Sequence, residues 1–529
     1  MRDDKTAVLD DDRPARDAAF AELVAARAGD DRTGLCFEDR SWTWREVVAE
    51  ARRRAGLVRD LPGHVGLFLE NGSEHLFWIL GAALAGVPLV ELNPTRRGAE
   101  LARDIAHTDC ALLVTETSRA PLLDGLTDVP SLTVDTPAYA GRLAAARPLP
   151  PVPVAPEAIF SLVFTSGTTS APKAVICTQG RLGRIAVQQR DRRGLTRDDV
   201  FYVVMPMFHS NALMAGIAPA VATGGRLVLR RGFSASGFLP DVRRHGVTFF
   251  NYVGKPLNYI LAVPEKPDDA DNPLRIAFGN EGADRDIEAF ARRFGCTVID
   301  SYGSSEGEIR IVRVPGTPPG SLGLADEGAA VVDPETLREC PRAEFDEHGR
   351  LLNADDAIGE IVDRLGAAKF EGYYNNPEAT AKRVRNGWVW SGDLAYRDAD
   401  GYWYFAGRDD DWLRVDGENF AAVPVERLLA RFDAFAEVAV YAVPDEHVGD
   451  QVMAAAALAP GRAFDPSAFT AFLAAQPDLG TKWTPKYVRI VRELPRTPTN
   501  KVIKRTLRGE ACNTPDPVYE HRAGTYTLT

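Results

Sequence analysis

Apolar and polar positions along the chain alternate between the spacing of helices and the continuous apolar runs of buried strands. Six apolar runs predict short strands, separated by segments with helical spacing: 64–69, 89–92, 111–115, 201–205, 226–229 and 248–253. Residues 15–28 predict a helix, and the segment FEDRSWTWREVVAEARRRAGLV predicts a turn followed by an amphipathic helix. Because strands that alternate with helices form parallel sheets, the pattern indicates an α/β fold with layered, parallel-rich sheets.

Length and composition place the chain among multidomain globular proteins. Its 529 residues exceed what one hydrophobic core usually serves, so we expect at least two domains. Hydrophobic residues make up 45% and charged residues 26%, as in ordinary soluble proteins. The net charge of -12 argues against a general nucleic-acid binder, because phosphate contacts call for a basic face.

Cysteines and apolar runs bear on the cellular compartment. The six cysteines lie far apart without a CxxC pair, which indicates neither disulfides nor a zinc site and fits a reducing cytosol. The acidic N-terminus lacks the apolar region of a signal peptide. The longest apolar run, 76–90, is interrupted by Pro88 and is shorter than the roughly 20 residues of a membrane span. We therefore expect a cytoplasmic protein without a transmembrane segment, in which this run forms a buried helix and strand.

A loop rich in hydroxyl groups is the main candidate for chemistry. The apolar strand 160–164 leads into a loop whose side chains and backbone N–H groups can surround an anion: Thr165, Ser166, Gly167, Thr168, Thr169 and Ser170. Gly167 permits close approach of the backbone, and Lys173 adds a positive charge. This combination suits a polyphosphate. The pattern G-x-x-x-x-G-K-[ST] does not fit the loop, so it is not a Walker A site, and a plain surface turn remains the alternative.

The loop resembles the signature of the acyl-adenylate-forming superfamily. TSGTTSAPKA matches the family's T-S-G-T-T-G-x-P-K-G except at Ser170 and Ala174, where the family usually has glycine. The resemblance continues from FEDRSWTWRE to Lys504 and therefore covers nearly the whole chain. It implies a large N-terminal domain of several subdomains and a smaller, mobile α+β C-terminal domain.

Two residues are candidates for the acyl site. His209, in VVMPMFHSNAL, matches a family element that lines and gates the acyl pocket, although an isolated histidine is more often structural. Gly254, in NYVGKPLNYIL, lies on a predicted helical apolar face, where a small residue leaves a deep channel open. Simple packing against the sheet is the alternative for Gly254.

Two neighbouring segments are candidates for binding a nucleotide. Gly279, Asn280 and Glu281 end an apolar strand, where their backbone groups can contact an adenine edge. In the segment YGSSE, Tyr302 can stack on the base, Gly303 permits close approach, Ser304 and Ser305 supply hydroxyls, and Glu306 can hold a magnesium-bound phosphate. The segment resembles the family's Y-G-x-T-E, with Ser305 in the threonine position, whereas a lone carboxylate is usually just solvated.

Asp393 in SGD and Arg408 in GR match the two family residues that hold the ribose hydroxyls. Aligning G-R-x-x-D places the family's hinge at Asp411, which predicts domains 1–410 and 411–529. A solvated acidic loop is the alternative for Asp411.

The resemblance also supplies candidates for the two half-reactions. Lys501 matches the lysine that contacts the carboxylate and the α-phosphate during adenylation, with Asn500 replacing a usual glycine. Rotation about the hinge would bring Gly417, Glu418 and Asn419 toward the tunnel that binds coenzyme A. The implied catalytic residues are Thr168, Glu306 and Lys501, and the implied cofactors are ATP, Mg²⁺ and coenzyme A.

Within the superfamily the chain is most similar to acyl-CoA synthetases of the very-long-chain or actinobacterial fatty-acid and steroid-side-chain type. YVGKPLNYIL, GNEG and DPVYEHRAGTYTL carry this similarity. It implies activation of a large fatty, steroid-side-chain or terpenoid acid through acyl-AMP to its CoA thioester. A luciferase-like oxidase or an amino-acid-activating domain would share the fold, but no carrier domain follows and the acyl site reads as apolar.

Two further alternatives stay open. The departures at Ser170, Ala174 and Asn500 suggest a ligase that adenylates poorly and converts an acyl-adenylate supplied by a separate enzyme. A non-catalytic nucleotide-binding module would keep Tyr302, Asp393 and Arg408 without turnover. The sequence leaves open a homodimer.

Overall fold

The computed structural model describes residues 18–164, 173–307, 309–346, 351–408, 412–415, 418–445, 449–476, 479–480, 482–496, 502–522 and 524–529. The chain divides into two compact units. The first unit comprises Met1–Gly307 and Ala368–Lys382, and the second comprises Glu308–Ala367 and Arg383–Thr529. The predicted boundary between domains 1–410 and 411–529 falls on residues outside the described part and stays a prediction.

The strands of the first unit are mostly short. They are β1 (Thr33–Phe37), β2 (Arg40–Thr43), β3 (His64–Phe68), β4 (Leu89–Glu91), β5 (Cys110–Thr115), β6 (Ser131–Thr133), β7 (Ile159–Phe164), β8 (Ala174–Thr178), β9 (Val200–Val203), β10 (Arg226–Leu229), β11 (Phe249–Val253), β12 (Ile276–Asn280) and β13 (Thr297–Tyr302).

Helices alternate with these strands. They are α1 (Phe20–Ala25), α2 (Trp44–Val58), α3 (Ser73–Ala85), α4 (Gly98–His107), α5 (Pro137–Ala145), α6 (Gln179–Arg192), α7 (Ala218–Thr223), α8 (Ala235–His245), α9 (Pro256–Leu261) and α10 (Asp284–Phe294). A π-helix covers Ala212–Ile217. The returning segment Ala368–Lys382 contains the start of α12 (Pro377–Arg383).

Two parallel-rich sheets organise the first unit. One sheet runs in the order β13-β12-β11-β9-β10-β1-β2, and all its neighbours are parallel except β1 and β2. The other runs in the order β6-β5-β3-β4-β7-β8, with only β7 and β8 antiparallel. The six predicted strands are present with ends shifted by at most two residues. Since parallel strands end at the same edge of a sheet, the loops after β12 and β13 lie side by side.

Local sequence explains the buried helix α3. The apolar run 76–90 forms α3 and β4, and the residues of α3 from His75 to Leu84 are all buried. Gly86 ends α3 in a left-handed conformation with φ of 66°. α2 begins with a capping box, in which Thr43 accepts from the Glu46 N–H while the Glu46 carboxylate accepts from the Thr43 N–H.

The second unit is built mainly from antiparallel strands. Its strands are β14 (Ile311–Val312), β15 (Leu324–Ala325), β16 (Ala329–Val332), β17 (Gly359–Asp363), β18 (Val384–Arg385), β19 (Trp388–Arg397), β20 (Trp403–Arg408), β21 (Trp412–Val415), β22 (Glu418–Ala421), β23 (Phe435–Asp445), β24 (Gly449–Leu458), β25 (Tyr487–Val491), β26 (Val518–Arg522) and β27 (Thr525–Leu528). Its helices are α11 (Ala354–Ala357), α13 (Ala422–Leu429), α14 (Pro466–Ala474) and α15 (Lys504–Glu510).

The second unit contains two main sheets. The sheet β16-β17-β19-β18, with β20 paired to β19, carries the candidate ribose residues. The sheet β22-β21-β24-β25-β26-β27, with β23 paired to β24, forms the C-terminal part, in which only β24 and β25 are parallel. The predicted α/β class, with large parallel-rich sheets first and a smaller C-terminal sheet, is confirmed.

Two further features concern the cysteines and the lengths of the helices. All six cysteines lie in the described part and are free thiols. Among the residues that the structure describes, no helix is both long enough and apolar enough to cross a membrane.

Two helical glycines offer a test of the packing between α2 and α3. A Cβ on Gly81 would lie 2.7 Å from the backbone oxygen of Ala51, whereas one on Gly141 would meet no described atom within 4 Å. We expect Gly81→Ala to destabilise the first unit by about 1–3 kcal/mol, because α2 would have to move away. Gly141→Ala should be neutral or stabilise by up to about 1 kcal/mol. Calorimetric melting of both variants checks this, and equal shifts would contradict it.

Candidate functional site

The predicted phosphate loop connects the hairpin strands β7 and β8. Phe164 pairs with Ala174, so the two ends of the loop are held side by side. Thr165, Ser166, Gly167, Thr168, Thr169 and Ser170 lie outside the described residues, and their roles stay predictions. Lys173, at the described end of the loop, is half-buried.

A tyrosine from the returning segment lies next to this lysine. The Lys173 ammonium is 5.8 Å from the centroid of the Tyr373 ring, within the range of a cation–π interaction. Tyr373 also forms a β-bridge with Val175, and the Ile176 N–H donates to the carbonyl of Gly372 at 3.1 Å. The returning segment therefore continues the edge of the hairpin and places Tyr373 beside Lys173.

Tyr373 also contacts the carboxylate predicted to act with magnesium. The Tyr373 hydroxyl donates to Oε1 of Glu306 at 2.7 Å. Both side chains are buried, Glu306 being 7% exposed and Tyr373 6%. A buried carboxylate is stabilised by such a charge-assisted hydrogen bond, so Tyr373 fixes the orientation of the acid.

The backbone around Glu306 is held by a buried arginine. Arg181, in the first turn of α6, donates through Nη2 to the carbonyls of Ser305 and Glu306 at 2.6 and 2.5 Å. Its Nη1 donates to the carbonyl of Ile176 at 2.9 Å. Gly307 has φ of 78°, and a Cβ there would lie 2.4 Å from Nη2 of Arg181. The turn after Ser305 is therefore built around this guanidinium.

Glu371 completes the hydrogen-bonding network. Its carboxylate accepts from the Thr178 N–H at 2.9 Å and from the Thr178 hydroxyl at 2.5 Å, and it lies 4.0 Å from Arg181. Thr178 in turn caps α6 by accepting from the Arg181 N–H. The network joins β8, the start of α6 and the returning segment.

The candidate adenine-binding segment ends β12. The Asn280 amide donates to the carbonyl of Ser301 at 2.5 Å, which ties the end of β12 to β13. Glu281 has a left-handed backbone with φ of 64°. A Cβ on Gly279 would lie 2.3 Å from the carbonyl oxygen of Tyr252, so glycine is required there for packing.

The neighbouring candidate segment begins at the end of β13. Tyr302 is half-buried, and Gly303 and Ser304 are exposed. Because β12 and β13 are parallel neighbours, these residues and Asn280 lie at one edge of the sheet. The structure thus brings the predicted base-binding residues together.

The candidate acyl segment is attached to the same edge. Ser210 and Ser305 are joined by a hydrogen bond of 2.9 Å between their hydroxyls. The Nδ1 atom of His209 accepts from the Asn211 N–H at 3.3 Å, which places the proton of a neutral imidazole on Nε2. Asn71 anchors the segment by accepting from the Met207 N–H at 2.8 Å.

The predicted placement of Gly254 on a helix is wrong. Gly254 lies in the turn between β11 and α9, with φ of 72°, and α9 begins only at Pro256. Proline suits the first turn of a helix, where its missing N–H costs nothing. A Cβ at Gly254 would meet no described atom within 4 Å, so space is open beside the turn.

The second unit holds the remaining candidates. Asp393 and Arg408 are register partners on the antiparallel strands β19 and β20, which places the predicted ribose residues opposite each other. The Asp393 N–H donates to the Ser391 hydroxyl at 3.0 Å. Glu418 and Asn419 begin β22. Asp411, Gly417, Asn500 and Lys501 lie outside the described residues.

Sequence reasoning missed the residues that position the site: Tyr373, Arg181, Glu371, Ser210 and Asn71. The returning segment was visible as FEGYYNNPEAT, whose glycine, asparagines and proline mark a turn. Nothing in its pattern specified a partner 67 residues away.

The chain matches two protein-family models and several characterised ligases. The "AMP-binding enzyme" family model matches residues 22–374, and the "AMP-binding enzyme C-terminal domain" model matches residues 424–501. The chain is 51% identical over 512 residues to the steroid-22-oyl-CoA synthetase of Rhodococcus jostii, covering 94% of this chain and 92% of that protein. It is 48% identical over 513 residues to the medium/long-chain-fatty-acid–CoA ligase FadD17 of Mycobacterium marinum, covering 96% and 99%.

Solved structures share the fold. ATP-bound MatB from Rhodopseudomonas palustris has a TM-score of 0.82 and 23% identity, covering 93% of this chain and 98% of that chain. The o-succinylbenzoate CoA synthetase MenE of Bacillus subtilis, in complex with its acyl-adenylate intermediate, has a TM-score of 0.78 and 24% identity, with the same coverage.

The chain belongs to the AMP-binding enzyme family. The predicted resemblance to acyl-CoA synthetases of the actinobacterial fatty-acid and steroid-side-chain type is confirmed, and so is the assignment to the acid–thiol ligases.

Proposed function

We propose that the protein activates a large hydrophobic carboxylic acid, of the fatty-acid or steroid-side-chain class, to its CoA thioester. The observation that carries this proposal is the 51% identity to a steroid-22-oyl-CoA synthetase over nearly the full length of both chains.

The reaction proceeds in two transfers. An oxygen of the substrate carboxylate attacks the α-phosphorus of ATP, a new P–O bond forms, and pyrophosphate leaves with the bonding electron pair. The thiol sulfur of coenzyme A then attacks the acyl carbon, the thiol proton is lost, and AMP leaves. Such transfers depend mainly on positioning and charge neutralisation.

The residues divide between these transfers. Lys173 and the hydroxyl loop would hold the phosphates, Lys501 would contact the attacking carboxylate and the α-phosphate, and Asp393 with Arg408 would hold the ribose. Rotation about Asp411 would then exchange Lys501 for Gly417, Glu418 and Asn419 at the thioester stage.

Glu306 fits a magnesium ion that is bound mainly through the nucleotide. The described residues contain no group of three or more His, Cys, Asp or Glu side chains that could hold a metal. Mg²⁺ commonly binds through one or two carboxylates together with phosphates and water, so a single buried acid suffices. When bound, the ion neutralises charge that develops on the phosphates.

Two assays on one preparation test the function. Pyrophosphate–ATP exchange with steroid, long-chain and short-chain acids measures adenylation, and thioester formation from a synthetic acyl-adenylate and coenzyme A measures the second transfer. We expect both activities with hydrophobic acids. Thioester formation without exchange would instead support a ligase that depends on a separate adenylating enzyme. Nucleotide binding without either activity would support a non-catalytic module.

A substitution at Asp393 tests the ribose assignment. We expect Asp393→Ala to weaken ATP and AMP binding by about 1.5–3 kcal/mol, the range for a hydrogen bond to a charged group. Asp398, in the turn of the same hairpin, accepts from the Tyr402 N–H and the Tyr404 hydroxyl and is the matched control. Calorimetric titration should show unchanged nucleotide affinity for Asp398→Ala. Unchanged affinity for Asp393→Ala would refute the assignment.

Paired substitutions at Gly254 test whether its open space accepts the acyl chain. Alanine and leucine both pay about 1–2 kcal/mol for the left-handed backbone, but only leucine adds volume. Relative to Gly254→Ala, we expect Gly254→Leu to lose activity on steroid and long-chain acids and to retain it on short acids. If the ratio of the Gly254→Leu activity to the Gly254→Ala activity is the same for all acids, the space does not receive the substrate.

A further inference from the structure

One tyrosine lies between two oppositely charged side chains of the candidate site. The ring of Tyr373 is 5.8 Å from the Lys173 ammonium, and its hydroxyl donates to Glu306 at 2.7 Å. We propose that Tyr373 is a positioning residue for adenylation, which holds the magnesium-binding acid and the phosphate-binding lysine in one geometry. This inference rests on the proposed function.

The backbones of the three residues are held by contacts that do not involve the Tyr373 side chain. Tyr373 is bridged to β8, and its N–H donates to the Thr380 hydroxyl at 3.0 Å. Lys173 directly precedes β8, and Arg181 holds the carbonyl of Glu306 at 2.5 Å. Because the main chains are fixed, the orientation of the Glu306 carboxylate depends on its side-chain partners, of which the Tyr373 hydroxyl is one.

The chemistry of a tyrosine suits this position. Its hydroxyl orients a carboxylate without adding a charge. A lysine or arginine at this position would neutralise the acid, whereas beside tyrosine the acid keeps its negative charge for a cation. Its ring contacts the lysine by an interaction that also leaves the ammonium charged. Tyr373 thus fixes both charged groups and preserves the charge of each.

The neighbouring residue provides a matched control. The Tyr374 hydroxyl also donates to a carboxylate at 2.7 Å, that of Asp109 in the turn between α4 and β5. This hydrogen bond is the main cause that lowers the pKa of Asp109, and burial raises the pKa of Tyr374 to about 12. The two tyrosines therefore donate to a carboxylate over the same distance. Only the bond of Tyr373 involves a predicted site residue, and that bond is buried whereas the bond of Tyr374 is exposed.

The test compares Tyr373→Phe with Tyr374→Phe in the full-length protein. Calorimetric titration of Mg²⁺ into each variant with a non-hydrolysable ATP analogue measures metal binding without turnover. We expect Tyr373→Phe to weaken the apparent Mg²⁺ affinity about tenfold, the lower end for losing a hydrogen bond to a charged group. We expect Tyr374→Phe to leave the Mg²⁺ affinity unchanged.

Two further measurements distinguish a loss of positioning in Tyr373→Phe from a general loss of stability. Pyrophosphate exchange by Tyr373→Phe should require about tenfold more Mg²⁺, whereas thioester formation from a synthetic acyl-adenylate should change less than twofold. In a Glu306→Gln background, the effect of Tyr373→Phe on Mg²⁺ affinity should disappear, because the two residues act through one contact.

Three results would overturn the proposal. They are wild-type Mg²⁺ affinity in Tyr373→Phe, an equal loss in both half-reactions, and loss of cooperative melting in Tyr373→Phe alone. Absence of pyrophosphate exchange in the wild-type protein would refute the proposed function instead, and the calorimetric titration would still test the role of Tyr373.

Discussion

The buried guanidinium of Arg181 joins parts of the first unit that are far apart in the sequence. Its donors reach carbonyls of Ile176, Ser305 and Glu306, and Glu371 lies 4.0 Å away. A buried charge is costly unless it is paired and hydrogen-bonded, so these segments must meet for the arginine to be buried at all. Strand β8, the turn that carries Glu306 and the returning segment are thereby fixed relative to one another.

The edge of the parallel sheet explains why the candidate residues converge on this network. Strands β12 and β13 run in the same direction and end beside each other, which brings Asn280 next to Ser301 and places Tyr302 at the same edge. The hydrogen bond between Ser210 and Ser305 then attaches the candidate acyl segment to the candidate nucleotide-binding segment YGSSE. Binding sites at the carboxyl ends of parallel strands follow from this geometry.

The local pattern of apolar residues was sufficient to predict where the strands lie. It was not sufficient to predict which side chains contact one another in the candidate site. The predicted strand 226–229 coincides with β10, because continuous apolar runs mark strands that are buried on both faces. Gly254 was misplaced because its apolar neighbours were read as one helix, although Pro256 marks where the helix starts. Tyr373 could not be assigned, since its partners Lys173 and Glu306 are 200 and 67 residues away and no periodicity encodes such pairings.

Ala174 shows how a departure from the family signature can be harmless to the backbone. The family usually has glycine at this position, yet Ala174 begins β8, is fully buried, and pairs with Phe164 in regular antiparallel register. Its carbonyl accepts from the Tyr374 N–H at 2.9 Å, so the residue also anchors the returning segment. A methyl group in an extended strand carries no left-handed strain. The backbone at Ala174 therefore gives no reason to expect weak adenylation.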